Sequence, residues 1–259
     1  MYQTILFEVK DQVGIITLNI PAKMNALSFL MIDELHQLLD TIEKDKEIRA
    51  LMIWGGQEKF FCAGGDLDDQ SDMTIAKSYD ISRKSQKLYD RIEQLKIPTI
   101  AAVGGMAFGG GVEIALSCDF RIINAKAKMG MTEATLGLIP GGGGTVRLRK
   151  IVGLAKAKEL ICLGRIVRAE EAVQCGLANR CCEAGELYDS ALAFAKEFLK
   201  PAPISVAVVK DLLNRGADMP DDAAYDLEAY AYAMILGTKD AAEGLAAFKE
   251  KRSPVYTGE

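Results

Sequence analysis

Thr99-Ile-Ala-Ala-Val-Gly-Gly-Met-Ala-Phe-Gly-Gly-Gly-Val-Glu-Ile-Ala-Leu-Ser-Cys-Asp-Phe-Arg-Ile-Ile-Asn124 is the stretch whose reading decides the fold. Residues 99–103 are a short apolar strand that Gly104-Gly105 interrupts. A short helix follows from about Gly110 to Ser117, and residues 119–124 return to strand. The same alternation extends upstream. Residues 13–19 are β-branched and bounded by Asp11 and Pro21, and Leu6, Glu8 and Lys10 alternate weakly with Ile5, Phe7 and Val9 before them. Met31, Leu35, Leu38, Leu39 and Ile42 recur at helical spacing behind Ser28, a candidate N-cap. Residues 48–54 are again strand, and Leu88, Ile92 and Leu95 mark a helix that Pro98 ends. Strand alternating with helix predicts an α/β fold with a largely parallel sheet and covering helices. Downstream, from about residue 154, the chain reads as nearly all helical, in segments 154–163, 169–175, 187–199, 204–215, 221–236 and 239–250. Gly176 suits a helix C-cap, and Pro201-Ala-Pro203 reads as a hinge. The division expected is a core over residues 1–197 and a helical C-terminal region over 198–259.

Composition narrows the chemistry. The chain has 259 residues, enough for one large core, and its single histidine, His36, leaves no two-histidine metal motif. A net charge of −5 argues against general nucleic-acid binding. Cys62, Cys118, Cys162, Cys175, Cys181 and Cys182 show no metal spacing, so no metal site is expected. They read as reduced thiols of a cytoplasmic protein, the vicinal pair included. There is no basic, apolar leader at the N-terminus and no apolar run of spanning length, so no membrane partner is expected.

What remains is glycine and carboxylate chemistry. Three glycine clusters follow strand-like segments: Gly64-Gly65, Gly104-Gly105 with Gly109-Gly110-Gly111, and Gly141 to Gly144. None fits a phosphate-loop pattern. Glycine can bring bare backbone N–H groups against a ligand, and Gly109-Gly110-Gly111 opens a helix whose free amides would face a developing anion. Tight turns with positive φ explain any single cluster more simply, and none of the three is specific taken alone. Glu113, in the first turn of that helix, and Glu133, in Met131-Thr-Glu-Ala-Thr-Leu136, are both set among apolar neighbours, where a carboxyl pKa rises toward neutrality. The plain alternatives are a solvated helix-start carboxylate for Glu113 and a cap interaction after Thr132 for Glu133.

At this point the chain resembles the enoyl-CoA hydratase/isomerase (crotonase) superfamily, hydratase subgroup. Phe61-Cys-Ala-Gly-Gly-Asp-Leu67 is similar to its first signature, and Ala107-Phe-Gly-Gly-Gly-Val-Glu-Ile-Ala-Leu-Ser-Cys-Asp119 to its second. Glu133-Ala-Thr-Leu-Gly-Leu-Ile-Pro-Gly-Gly-Gly-Gly-Thr145, with Arg147-Leu148, is similar to its third. Ile16-Thr-Leu-Asn19, Asn25-Ala-Leu27 and Glu243-Gly-Leu-Ala-Ala-Phe-Lys-Glu-Lys-Arg-Ser-Pro254 extend the match to nearly the whole chain.

The resemblance implies a crotonase-like spiral of repeated ββα units with a C-terminal helical region that builds trimers, often paired into hexamers. It implies an acyl-CoA thioester as substrate and no separate cofactor. It places the coenzyme along Lys23, Asn25 and Ala26 and the backbone at Ala63, Gly64 and Gly65, with Phe248 and Lys251 at the nucleotide end. It implies that the N–H groups of Gly65 and Gly110 form an oxyanion hole, that Glu113 and Glu133 are the catalytic pair, and that the Gly141 N–H holds water. The implied reaction is reversible syn addition of water to a trans-2-enoyl-CoA in fatty-acid β-oxidation, giving a 3-hydroxyacyl-CoA. The alternatives are a Δ3,Δ2-enoyl-CoA isomerase or a specialised dienoyl-CoA hydratase. Met131-Thr132 stands where many hydratases carry Gln-Pro, Val146 replaces a common Gln, and Gly65 a common Ala. A non-enzymatic RNA-binding role would use Arg147, Arg149 and Lys150, which read more simply as a solvated helix face. Residues 68–95 are expected to shape the acyl pocket. Tyr225, Tyr230 and Tyr232 read equally as subunit interface or as intrachain core.

Overall fold

The computed structural model describes residues 2–71 and 73–259, so Asp72 of the expected acyl-pocket stretch lies outside the described residues. The chain begins with β1 (Ile5–Lys10), β2 (Val13–Leu18) and α1 (Phe29–Ile42). Three ββα turns follow. The first is β3 (Ala50–Trp54) and β4 (Phe60–Cys62) with α2 (Leu67–Gln70) and α3 (Ile75–Gln94). The second is β5 (Thr99–Val103), β6 (Met106–Phe108) and α4 (Gly110–Ser117). The third is β7 (Phe120–Asn124) and β8 (Lys128–Gly130), a 3-10 turn over Glu133–Leu136, and α5 (Gly144–Val152). Next come α6 (Leu154–Cys162), β9 (Ile166–Arg168), α7 (Ala169–Gln174), β10 (Arg180–Cys182) and α8 (Leu187–Glu197). The chain closes with α9 (Pro203–Gly216), α10 (Asp221–Ile235) and α11 (Lys239–Glu250).

The first strand of each turn enters a six-stranded sheet, ordered β1-β2-β3-β5-β7-β10, and the second enters a four-stranded sheet, ordered β4-β6-β8-β9. Pairing is parallel except at β1 with β2 and at β8 with β9. This is the ββα spiral that the resemblance implied.

The apolar runs are unbroken because both faces of the larger sheet are buried. Ile16 and Leu18 of β2, Leu51 and Ile53 of β3, and Ala101 and Val103 of β5 face the main core with α1, α3 and α4. Their alternates, Val13, Ile15, Ala50, Met52, Ile100 and Ala102, pack on Leu187, Ala191 and Ala195 of α8. Ser28 caps α1 by accepting from the Met31 N–H at 3.2 Å, as expected. The nearly all-helical reading after residue 154 is corrected by β9 and β10. Each has three residues, too few to show an alternating period, and pairing at a sheet edge makes them strands.

Helices α9 and α10 contribute no buried residue. Tyr225, Tyr230 and Tyr232 are exposed, which overturns their reading as intrachain core. The Pro201-Ala-Pro203 hinge is tied down, since Arg49 donates to the Pro201 carbonyl at 2.7 Å and Pro203 occupies the first turn of α9. Among the described residues no helix is long and apolar enough to cross a membrane.

Candidate active site

The site forms where three glycine-rich segments meet the N-terminus of α4. The 23–27 and 63–66 segments are stitched together by their backbones: Ala63 N–H donates to Met24 O at 3.0 Å, Leu27 N–H to Gly64 O at 2.8 Å, and Asp66 N–H to Leu27 O at 3.0 Å. This pairing leaves the Gly65 N–H free. A Cβ on Gly110 would stand 3.7 Å from the Gly65 nitrogen, so the two amides lie side by side. Gly110 is the first residue of α4, where a backbone N–H has no intrahelical acceptor. Among the described residues neither the Gly65 nor the Gly110 N–H has an intramolecular acceptor.

Glu113 sits one turn into α4 and is 5% exposed. The solvated helix-start reading is therefore wrong for it. Its Oε1 accepts from the N–H groups of Gly142 and Gly144, each at 2.8 Å. Burial pushes its pKa up to about 7. Two backbone N–H groups and Arg147 oppose that rise, and the charge of Glu133 adds to it.

Glu133 opens the 3-10 turn after β8. Thr132 makes no side-chain cap bond there. Glu133 Oε2 is buried without a hydrogen-bond partner among the described residues, and burial raises its pKa. Gly109 makes room for this carboxylate. At φ 47° it occupies the left-handed region, and a Cβ there would come within 3.1 Å of Glu133 Oε1. The fold thus brings together two carboxylates twenty residues apart in sequence, both with raised proton affinity.

The remaining expected residues are placed unevenly. Lys23 ion-pairs with Asp66 at 2.7 Å and Asp68 at 2.8 Å, which raises its own pKa and lowers that of Asp68. The Asn25 side chain is spent inside the protein: Oδ1 accepts from Ile20 N–H at 2.9 Å, and Nδ2 donates to Gly55 O and Phe61 O at 2.9 and 3.0 Å. It shapes the loop, and Ala26 is partly exposed beside it. Gly141 is held through its carbonyl, which accepts from Ser82 Oγ at 2.6 Å and Gln86 Nε2 at 2.9 Å. Phe248, 85% exposed, and Lys251 lie at the C-terminal end of α11.

Several residues of the site escaped the sequence reading. Gly142 and Gly144 hold Glu113 through backbone alone, which leaves no side-chain signal. Tyr89 of α3 is buried beside them, and burial, with the charge of Glu113, lifts its pKa well above the usual phenol value. Arg147 is 7% exposed, so the solvated-face reading fails for it. Its guanidinium bonds Asp90 at 2.5 Å, Glu93 at 2.8 Å and the Gly142 carbonyl at 3.2 Å. Arg149 and Lys150 are exposed, and Lys150 pairs with Asp218.

Comparison with known proteins gives the family and the fold. Residues 8–259 match the enoyl-CoA hydratase/isomerase family. The chain is 37% identical over 248 residues to the short-chain-enoyl-CoA hydratase of Clostridium acetobutylicum, covering 96% of this chain and 95% of that one. It is 39% identical over 239 residues to the mitochondrial methylglutaconyl-CoA hydratase of Homo sapiens, covering 91% and 70%. Its fold superimposes on the crystal structure of an enoyl-CoA hydratase from Bacillus anthracis with a TM-score of 0.96, at 38% identity over 99% and 100% of the two chains.

Proposed function

The chain belongs to the enoyl-CoA hydratase/isomerase family, and from that premise we propose that it adds water reversibly to a trans-2-enoyl-CoA. The observation that carries this reading is the carboxylate pair. Glu113 is clamped by two N–H groups, and beside it lies Glu133 with an unpartnered oxygen. Two neighbouring carboxyls in a low-dielectric site do not readily both ionise, and the charge of Glu133 raises the proton affinity of Glu113.

The proposed step starts from the form of the site in which Glu113 is ionised and Glu133 protonated. Glu113 takes a proton from a water molecule whose oxygen bonds to C3 of the substrate. Glu133, the protonated member, gives its proton to C2. The thioester oxygen, which carries the negative charge between these events, accepts from the N–H groups of Gly65 and Gly110. Such donors are worth about 3–4 kcal/mol each, and each acid–base group about 10²–10⁴-fold. The product is a 3-hydroxyacyl-CoA, and the proton then passes back between the carboxyls. The Gly141 N–H is proposed as a further contact of the water. No group beyond the acyl-CoA itself enters the scheme.

The coenzyme is proposed to run along Lys23, Ala26 and the backbone of Ala63 to Gly65, with Phe248 and Lys251 at its nucleotide end. A homotrimer or a hexamer is proposed through the C-terminal helices. The exposed Tyr225, Tyr230, Tyr232 and Met234 of α10 supply the apolar surface. The proposed location is cytoplasmic, on the sequence reading, although several of the relatives are named as mitochondrial.

The test is hydration of crotonyl-CoA by the purified protein, followed by loss of the conjugated thioester absorbance. Glu113→Gln and Glu133→Gln are each expected to lower the rate at least about 100-fold. Near-wild-type rates in either variant would remove that residue from the scheme. A protein that shifts the double bond without water uptake would instead be an isomerase.

A further inference from the structure

Gly141 and Gly142 share one peptide unit. A trans peptide points its C=O and the following N–H in opposite directions, so a partner at one end dictates what the other end faces. Here the carbonyl end reaches α3, accepting from Ser82 Oγ at 2.6 Å and Gln86 Nε2 at 2.9 Å. The N–H end reaches α4 and donates to Glu113 Oε1 at 2.8 Å. Gln86 is itself aligned. Arg83 donates to its Oε1 at 2.5 Å, and its Nε2 also lies 3.3 Å from Ser82 Oγ. Four consecutive glycines are the softest backbone a chain can have, and nothing intrinsic to them selects one plane for this peptide. Rotated by half a turn, the unit would present a carbonyl oxygen to the Glu113 carboxylate in place of an N–H.

We propose that Ser82 and Gln86 are positioning residues for Glu113. By holding the Gly141 carbonyl they fix the peptide whose N–H orients that carboxylate. The kinetic consequence rests on the hydratase reading above, whereas the structural one does not.

The groups facing Glu113 are Glu133 from the 3-10 turn, Arg147 from α5 and Tyr89 from α3, with Cys62 of β4 beyond the tyrosine. None of them is altered when Ser82 and Gln86 are changed. Losing the Gly142 N–H removes one of the contacts that hold the Glu113 pKa down, while the Gly144 N–H stays. The pKa then moves upward.

The experiment uses the full chain with Ser82→Ala and Gln86→Met combined, and with Gln86→Met alone. Glutamate labelled with ¹³C at the carboxyl carbon reports the Glu113 titration, assigned by the signal lost in Glu113→Gln. The midpoint is expected to rise in the double variant and to rise less in the single one. If the double variant does not fold, the single variant decides. With crotonyl-CoA, kcat at neutral pH is expected to fall about ten-fold and its acid limb to follow the midpoint, with KM within about two-fold. Ser82→Thr, which keeps the hydroxyl, is expected to hold the wild-type midpoint. An unmoved midpoint in the folded variants overturns the proposal, and so does a rise in KM with kcat unchanged. If the wild type hydrates no enoyl-CoA, the hydratase reading fails and the titration still decides the role of Ser82 and Gln86.

Discussion

Replacing Glu113 with Gln removes a charge that the native state holds at a cost, and the size of that cost follows from the structure. Burial raises the carboxyl from 4.5 to about 7. Each ten-fold change in proton affinity corresponds to about 1.4 kcal/mol, so the rise amounts to about 3 kcal/mol. The sign follows from proton counting. Between the unfolded value of 4.5 and the folded value of about 7, the native state binds the extra proton, so its stability falls as pH rises through that window. Above the window the full penalty is present, and below it none is. The difference in unfolding free energy between wild type and Glu113→Gln should therefore shift in the variant's favour by about 3 kcal/mol from pH 4 to pH 8. Urea unfolding at fixed protein concentration, repeated across that range, measures it. Other titrating groups cancel in the difference, apart from Glu133, whose charge acts on Glu113. The Glu133→Gln background removes that coupling. A difference independent of pH would show that Glu113 is as well solvated when folded as when unfolded, and would refute the argument for a carboxyl poised near neutrality.

Other expectations follow from the packing. Gly142→Ala puts a Cβ against the buried Tyr89 ring and 2.5 Å from Glu113 Oε2. Urea unfolding should show a loss of about 1–3 kcal/mol, accompanied by a fall in hydration rate. Arg121 is buried, with its guanidinium donating to Leu177 O, Ala115 O and Cys118 O at 2.7, 3.2 and 2.8 Å. Arg121→Met strands these carbonyls and should cost about 3 kcal/mol in the same assay. Thiol labelling should reach the exposed Cys162 and Cys181 in the native protein. Cys62 and Cys118, buried and pushed up to about 12, should react only on unfolding.

The parts of the fold legible in the sequence are those whose signal is local. The unbroken apolar runs of β2, β3 and β5 and the helical spacing of Met31, Leu35, Leu38 and Ile42 each lie within one element. The strands of the second sheet were not legible as a set, because β4, β6, β8 and β9 have three residues apiece. At that length a strand is defined by what it pairs with, and its own composition carries no period. Arg147 misled for a related reason. Beside Arg149 and Lys150 it looks like part of a solvated patch, and only Asp90 and Glu93, brought over by α3, make it an interior residue.

The sequence alone determined the alternating α/β order, the glycine-rich turns and, through the motifs, which glutamates to suspect. It could not decide between a solvated and a buried Glu113, because desolvation is a property of surroundings assembled from α3, α4 and the 141–144 loop. Nor could it show that Glu133 would lie beside Glu113, or that two glycine amides would clamp one of the carboxylates. A backbone N–H is the same at every residue but proline, so only the tertiary structure determines where it points.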